Sequence, residues 1–273
     1  MGLQSLVLLL CAVRGAEPKN ASLARARSAP LPQRLAAGRR QLSDQYAKLA
    51  ASDGASYDLF GNSVAIDGDT VVVGAINDDD GGSESGAAYV FRTTDGWDTH
   101  IELKLTAADA AEDDYFGISV AIDGDTVVVW AFGAGTGGAV YVFHTSDGGA
   151  TYGQVAKLTA SDAAVGEFGS SVAIFGATVV VSAPWDDASH SYSGEAYVFH
   201  TTDGGATYGQ VAKLKASDAA AGDEFGYSVA IDGYTIVVGA SDDNDEKGSA
   251  YVFHTTDGGA TYPSAFSWRS RSR

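Results

Sequence analysis

Between residues 60 and 262 short runs of Val, Ala, Ile, Tyr and Phe alternate with runs of Gly, Asp, Ser and Thr, and the order of runs returns four times. Phe-Gly stands at 60–61, 116–117, 168–169 and 225–226. Downstream of each pair come a Ser-Val-Ala-Ile segment, a tight turn, a Thr-Val-Val-Val-like segment and a variable loop. Tyr-Val-Phe follows at 89–91, 141–143, 197–199 and 251–253. The first unit therefore predicts strands at 63–66, 70–73 and 87–91, with Asp67-Gly68-Asp69 as a hairpin turn in which glycine takes a positive φ. A fourth strand of Gln-Val-Ala-Lys-Leu type is predicted at 154–158 and 210–214, with worn versions around Leu103 and Lys48. These strands are apolar at consecutive positions, the pattern of small sheets covered on both faces. Four strands in a repeat of roughly 50 residues predict an all-β fold, a β-propeller of four-stranded antiparallel blades. The repeats run over about 48–103, 104–156, 157–212 and 213–262.

The fourth unit has no strand signal after Tyr262, and Gln45–Leu49 offers a spare fourth strand ahead of the first. Pairing the two would close a four-blade ring; the alternative is a fragment of a larger array. Outside the repeats, Leu3–Leu10 and the apolar residues up to Val13 fit a signal core and are too short to span a bilayer, which places a signal peptide at 1–15. Residues 16–44 read as a basic low-complexity linker or pro-segment and 263–273 as an unstructured basic tail. The mature chain is then expected to be secreted or extracellular at the cell surface, without a transmembrane helix. Cys11, the only cysteine, falls inside the signal, so no thiolate, disulfide or Cys-ligated metal is expected. Asn20-Ala21-Ser22 is a glycosylation sequon.

The segment FGYSVAIDGYTIVVGA at 225–240 resembles the FG-GAP repeat of integrin α-subunit propellers, and the likeness covers about 215 of the 273 residues. Gly74-Ala75 and Gly239-Ala240 keep the second half of the motif. Ser182-Ala183-Pro184 and Trp130-Ala131-Phe132 depart from it. The resemblance implies a seven-bladed relative and a module of adhesion type. TTDGGATY at 201–208 and 255–262, TSDGGATY at 145–152 and TTDGWDTH at 93–100 resemble the Asp box of sialidases. A sialidase would also need an arginine cluster, and the repeat region holds Arg92 alone. The box is therefore read as a folding turn whose Asp accepts bonds from turn amides. His144, His200 and His254 occupy one equivalent position in successive units, which points to a structural role.

Charge divides the chain. Thirty-three acidic and seven basic residues lie between Lys48 and Tyr262, whereas the flanks carry ten basic and two acidic ones, for a total of −18. A body this acidic is repelled by phosphate backbones and anionic membranes, which excludes nucleic acid as a partner class. Antiparallel strands place the loops after second and fourth strands on one face, and 22 of the carboxylates fall there with one base, Lys247. Calcium is the cofactor such a field suits, with Asp78, Asp80 and Glu84 in one loop and Asp242, Asn244 and Glu246 in another as candidate ligands. The calcium loop of integrins is missing, replaced by the bare turn at 67–69, and a solvated surface is the competing reading. The expected function is a non-enzymatic module that binds a protein or glycan ligand on the acidic loop face. The alternatives are a secreted carbohydrate-active enzyme, using a carboxylate pair about 5–10 Å apart, and a structural repeat protein with no discrete site.

Overall fold

The computed structural model describes residues 47–162, 167–187, 190–259 and 261–262. The expected signal peptide, the basic segment, the sequon and the C-terminal tail lie outside them. The chain divides into two units, Met1–Leu49 and Ala50–Arg273, and every strand belongs to the second.

Four antiparallel sheets succeed one another. The first holds β1 (Phe60–Asp67), β2 (Thr70–Ala75), β3 (Ala87–Arg92) and β4 (Ile101–Leu105), paired in that order. The second holds β5 (Phe116–Asp123), β6 (Thr126–Ala131), β7 (Ala139–His144) and β8 (Gly153–Leu158). The third holds β9 (Val172–Phe175), β10 (Thr178–Ala183), β11 (Glu195–His200) and β12 (Gly209–Leu214). The fourth has three strands, β13 (Phe225–Asp232), β14 (Thr235–Ala240) and β15 (Ser249–His254). These are the blades the repeats predict. The spare strand expected at Gln45–Leu49 does not form at 47–49, and residues 45 and 46 lie outside the described ones. Among the described residues no sheet pairing joins the last blade to the first.

The β-branched strands form blades because stacking covers both faces at once. β6 and β10 are buried at every position. Val72, Ala88 and Val90 pack against Phe116, Val120 and Val127 of the next blade. Val128, Val140 and Val142 meet Phe168, Val172 and Val179 in the same way, and Val180 and Val198 meet Phe225 and Ile236. Among the described residues the end blades lack one such neighbour. Val237 and Val252 on the fourth sheet are 37% and 48% exposed, and Ile66 on β1 is 62% exposed.

The Phe-Gly pair ties one blade to the next. Each Phe ring packs on the aromatics of its own Tyr-Val-Phe segment, edge-on in every pair but the tilted Phe116–Tyr141, as Phe168 does to Tyr197 at 5.3 Å and to Phe199 at 6.0 Å. The Phe amide crosses the boundary: Phe116 N donates to Ser85 O at 2.9 Å, Phe168 N to Gly137 O at 2.9 Å and Phe225 N to Ser193 O at 3.0 Å. Gly117 then turns at φ +99 beneath the preceding blade, where a Cβ would stand 2.4 Å from Ala87 O. The glycine of the motif's second half is equally constrained, since a Cβ on Gly74 would lie 2.0 Å from Gly117 O. Trp130 replaces that glycine in the second blade. It lies over Gly169 instead, whose Cβ would be 2.1 Å from the indole Cδ1. The departure in copy two is thus a different cover over the same joint.

Candidate functional site

The loops after the second and fourth strands meet on one edge, as the alternation of strand directions requires. They are joined across blades by backbone bonds: Asp113 N donates to Ser83 O at 2.9 Å and Tyr115 N to Glu84 O at 3.0 Å. Gly222 N donates to Ser191 O at 2.9 Å and Glu224 N to Tyr192 O at 3.1 Å in the same manner. Among described non-glycine residues, every positive φ lies in these loops except that of Trp97. Bulky residues such as Tyr57, Leu59, Tyr115 and Tyr192 hold this sparsely allowed conformation, which the surrounding bonds must enforce. Tyr57, Leu59, Phe132 and Tyr192 are exposed on the same rim.

Behind the rim the blades carry variants of one polar cluster, complete in the first and third. In the first, the Tyr89 hydroxyl lies 2.8 Å from Asp53 and 2.9 Å from Asp78 and shares its one proton between the two carboxylates. The Lys104 ammonium lies 2.8 Å from Asp78, 3.0 Å from Asp53 and 2.5 Å from Asp80, and 5.4 Å above the Tyr89 ring. Burial opposes the charge on Lys104, but its bonds to Asp78, Asp80 and Asp53 outweigh that and hold its pKa well above the ordinary range. Burial, reinforced by Asp53 and Asp78, pushes the Tyr89 phenol far up. Burial would raise Asp53, yet the Lys104 and Tyr89 bonds carry its carboxyl below the ordinary value.

The third blade is similar and more heavily charged. The Tyr197 hydroxyl lies 2.9 Å from Asp162 and 3.1 Å from Asp186 and shares its proton between them, while Lys213 pairs with Asp162 and with the wholly buried Glu195. The second Glu195 oxygen lacks a hydrogen bond but lies 3.2 Å from Lys215. In the second blade Lys157 holds Asp109 at 2.6 Å and lowers its carboxyl pKa. In the fourth blade the Tyr251 hydroxyl lies 2.9 Å from Asp218 and 3.1 Å from Asp243 and shares its proton between them, and among the described residues no lysine pairs with these carboxylates.

Sequence reasoning counted Lys247 as the face's only base and missed Lys104, Lys157 and Lys213, which sit on strands rather than loops, and also Lys215, which directly follows β12. The signal lay in the register. Tyr89 is the cross-strand partner of Lys104, Tyr141 of Lys157 and Tyr197 of Lys213. Tyr-Val-Phe and Lys-Leu recur together for that reason.

Of the candidate calcium residues, Asp78 and Asp80 converge on Lys104, and Glu84 turns to the next blade and accepts from Tyr115 at 2.6 Å. That bond, ahead of burial, raises Tyr115 to about 12. Asp242, Asn244 and Glu246 line an open acidic cleft of 510 Å³ with Asp218, Asp223 and Asp243. Asn244, Asp245 and Glu246 have positive φ, so the alternate spacing expected of an extended loop is replaced by a left-handed turn. Asn244 Nδ2 donates to Asp243 at 3.0 Å. Among the described residues no three His, Cys, Asp or Glu side chains are grouped as metal ligands.

The Asp box is a closed turn. Asp203 accepts from the Thr207 amide at 2.9 Å, the Thr207 hydroxyl at 2.6 Å and the Thr201 hydroxyl at 2.7 Å. It also seals the blade boundary. A Cβ on Gly149 would lie 3.0 Å from Arg92 Cδ, and those on Gly205 and Gly259 would lie 3.2 Å from His144 Nδ1 and His200 Nδ1. His144 and His200 stand 3.1 and 3.0 Å from Thr126 and Thr178 on their own blades. His144 and His200 are therefore seats for the next blade's turn, a contact that their equivalent positions alone did not reveal.

Known proteins resemble this arrangement to different degrees. No curated protein sequence matches the chain. The crystal structure of Saccharomyces cerevisiae Sqt1 aligns at 10% identity and a TM-score of 0.45, covering 73% of this chain and 45% of that one. The FG-GAP repeat model matches residues 44–91, 101–143, 152–199 and 208–253, one match for each set of Phe-Gly joint and Tyr-Val-Phe strand, and on that match the chain belongs to the FG-GAP repeat family.

Proposed function

We propose that the chain is a non-enzymatic extracellular module that binds a protein or glycan through its rim of variable loops. The observation that carries this reading is the pairing of a fixed frame with a variable edge. In three blades a lysine holds loop carboxylates to the strands, joined by a tyrosine hydroxyl in the first and third, while Tyr57, Phe132 and Tyr192 remain exposed among acidic neighbours. Rigid scaffolds with variable, aromatic-bearing loops suit recognition. In the first and third blades the converging carboxylates are engaged by lysine and tyrosine, which favours a structural role over general acid–base work. Secretion rests on the Leu3–Leu10 segment and on the FG-GAP relationship. Among the described residues no helix is long and apolar enough to cross a membrane. Weak calcium association belongs to the loop of Asp242, Asn244 and Glu246.

The test uses the labelled full chain on a glycan array and an array of extracellular proteins. We expect at least one binder whose signal disappears when Tyr57, Phe132 and Tyr192 are all replaced by alanine at unchanged melting temperature. Absence of any binder on both arrays, or binding indifferent to the triple replacement, would refute the reading.

A further inference from the structure

We propose that the second blade binds a carboxylate from outside the chain, at the place where its neighbours carry an aspartate of their own. The template stands on either side. In the first blade Asp78 lies 2.9 Å from the Tyr89 hydroxyl and 2.8 Å from the Lys104 ammonium. In the third, Asp186 lies 3.1 Å from the Tyr197 hydroxyl, with the buried Glu195 as a further carboxylate at Lys213. Asp78 and Asp186 each stand third after the alanine that ends β2 or β10. The same count from Ala131, at the end of β6, reaches Ala134. Its loop, residues 132–138, contains no carboxylate at all.

The donors of the cluster are kept. Lys157 lies 5.2 Å above the Tyr141 ring and 2.6 Å from Asp109, the counterpart of Asp53 and Asp162. Tyr141 is wholly buried, yet its hydroxyl makes no hydrogen bond among the described residues. Those of Tyr89 and Tyr197 meet two and three carboxylates. Burial pushes the Tyr141 phenol up to about 12, so it stays a proton donor at neutral pH. The Lys157 side chain is 33% exposed, against 21% for Lys104 and 20% for Lys213, and its open side is the way in. A carboxylate placed as Asp78 is placed accepts from the hydroxyl and the ammonium together, which relieves a buried donor that is costly to leave unmade. The charge count allows it, because Lys104 holds three carboxylates and Lys157 holds one. The acidic face repels polyanions, so the guest is a single carboxylate group. Blades on both sides cover the second one, so this site belongs to the interior of the array.

The experiment compares the full chain in sodium acetate and in sodium chloride at matched concentration, by melting temperature and by saturation-transfer NMR on the acetate methyl protons. A second probe, N-acetyl-aspartate methylamide, presents the carboxylate as a protein side chain does. We expect saturation transfer to acetate and a melting temperature higher in acetate than in chloride. Tyr141→Phe, which removes only the hydroxyl, should lose both effects and leave the melting temperature in chloride unchanged. Tyr89→Phe, which strips a donor from two carboxylates, should lower it. Ala134→Asp supplies the missing group from within, so it should raise the melting temperature in chloride and abolish the response to acetate. Effects of acetate on the solvent are common to all variants, so the difference between variants carries the result. Response to both probes marks a protein carboxylate as the guest, and response to acetate alone marks a small free acid. If the wild type shows no transfer from either probe, or Tyr141→Phe responds as the wild type does, the proposal is overturned. The array result is separate, because it reads the exposed aromatics of the rim and not this cluster.

Discussion

At the scale of single residues, identical positions in different blades differ in weight according to what surrounds them. Lys104 holds three carboxylates, and the side chain of Asp78 is only 5% exposed. Lys157 holds Asp109, which is 52% exposed. Removing the cation strands the buried Asp78 carboxylate, so Lys104→Met should cost about 2–4 kcal/mol in urea denaturation. Lys157→Met removes a surface pair and should cost under about 1 kcal/mol. Equal costs would contradict the cluster geometry. The Asp boxes make a different prediction, about pH. Bonds from the threonine four residues on, aided by the threonine two residues before, hold these carboxyls low, with Asp95 at about 2. Asp147 and Asp203 are held low by the same contacts, and Asp257 by Thr255 first and Thr261 second. A folded pKa below the unfolded one means stabilisation that is present above pH of about 4 and is lost as pH falls towards 2. The melting temperature should drop across that window. Asp203→Ala should lower it at pH 7 and shrink the acid-induced drop; a curve parallel to the wild type would place the acid sensitivity elsewhere.

At the scale of elements, a blade is held by its joints. Gly117 combines φ +99 with a Cβ position 2.4 Å from a backbone oxygen, so Gly117→Ala must both strain its own backbone and push the preceding blade away. A cost of at least about 2 kcal/mol is expected by chemical denaturation, from the backbone term alone. Gly153 meets nothing within 4 Å and has no positive φ, so Gly153→Ala is the matched control and should be close to neutral. Strands, turns and blade order were all legible in the sequence because each is written four times, and period and repetition are local signals. The Asp box was legible as a turn for the same reason. Its seating on Arg92, His144 and His200 was not, because that contact joins residues of successive repeats and depends on how blades stack. The Tyr–Asp–Lys cluster was hidden similarly: its members lie on two loops and two strands, and only the cross-strand register brings them together. The candidate ligands Asp78, Asp80 and Glu84 formed one acidic run on paper. Folded, the run is divided between Lys104 and Tyr115.

At the scale of the whole molecule, the body between Lys48 and Tyr262 carries thirty-three acidic and seven basic residues, and self-repulsion on this scale disfavours the compact state. Any cation should relieve it, so calcium and sodium chloride must be compared at matched ionic strength, where bulk salt screens without coordinating. Binding to the folded state alone raises its stability by mass action. The two candidate loops should respond differently. For the first, calcium would have to displace the Lys104 ammonium from Asp78 and Asp80, exchanging contacts of 2.5 to 2.8 Å already made. Asp80→Ala with Glu84→Ala should therefore leave the response to calcium unchanged. For the second, Asp242, Asn244 and Glu246 stand in an open acidic cleft with Asp218 and Asp223, where hard oxygen donors and a flexible coordination shell suit calcium better than magnesium. Millimolar calcium should raise the melting temperature above the matched sodium control, and by more than magnesium does. Replacing Asp242, Asn244 and Glu246 by alanine should remove that excess and leave the sodium response intact. If sodium equals calcium in the wild type, or the triple variant keeps the full calcium increment, the cleft is not a calcium site and the acidic face acts by charge alone.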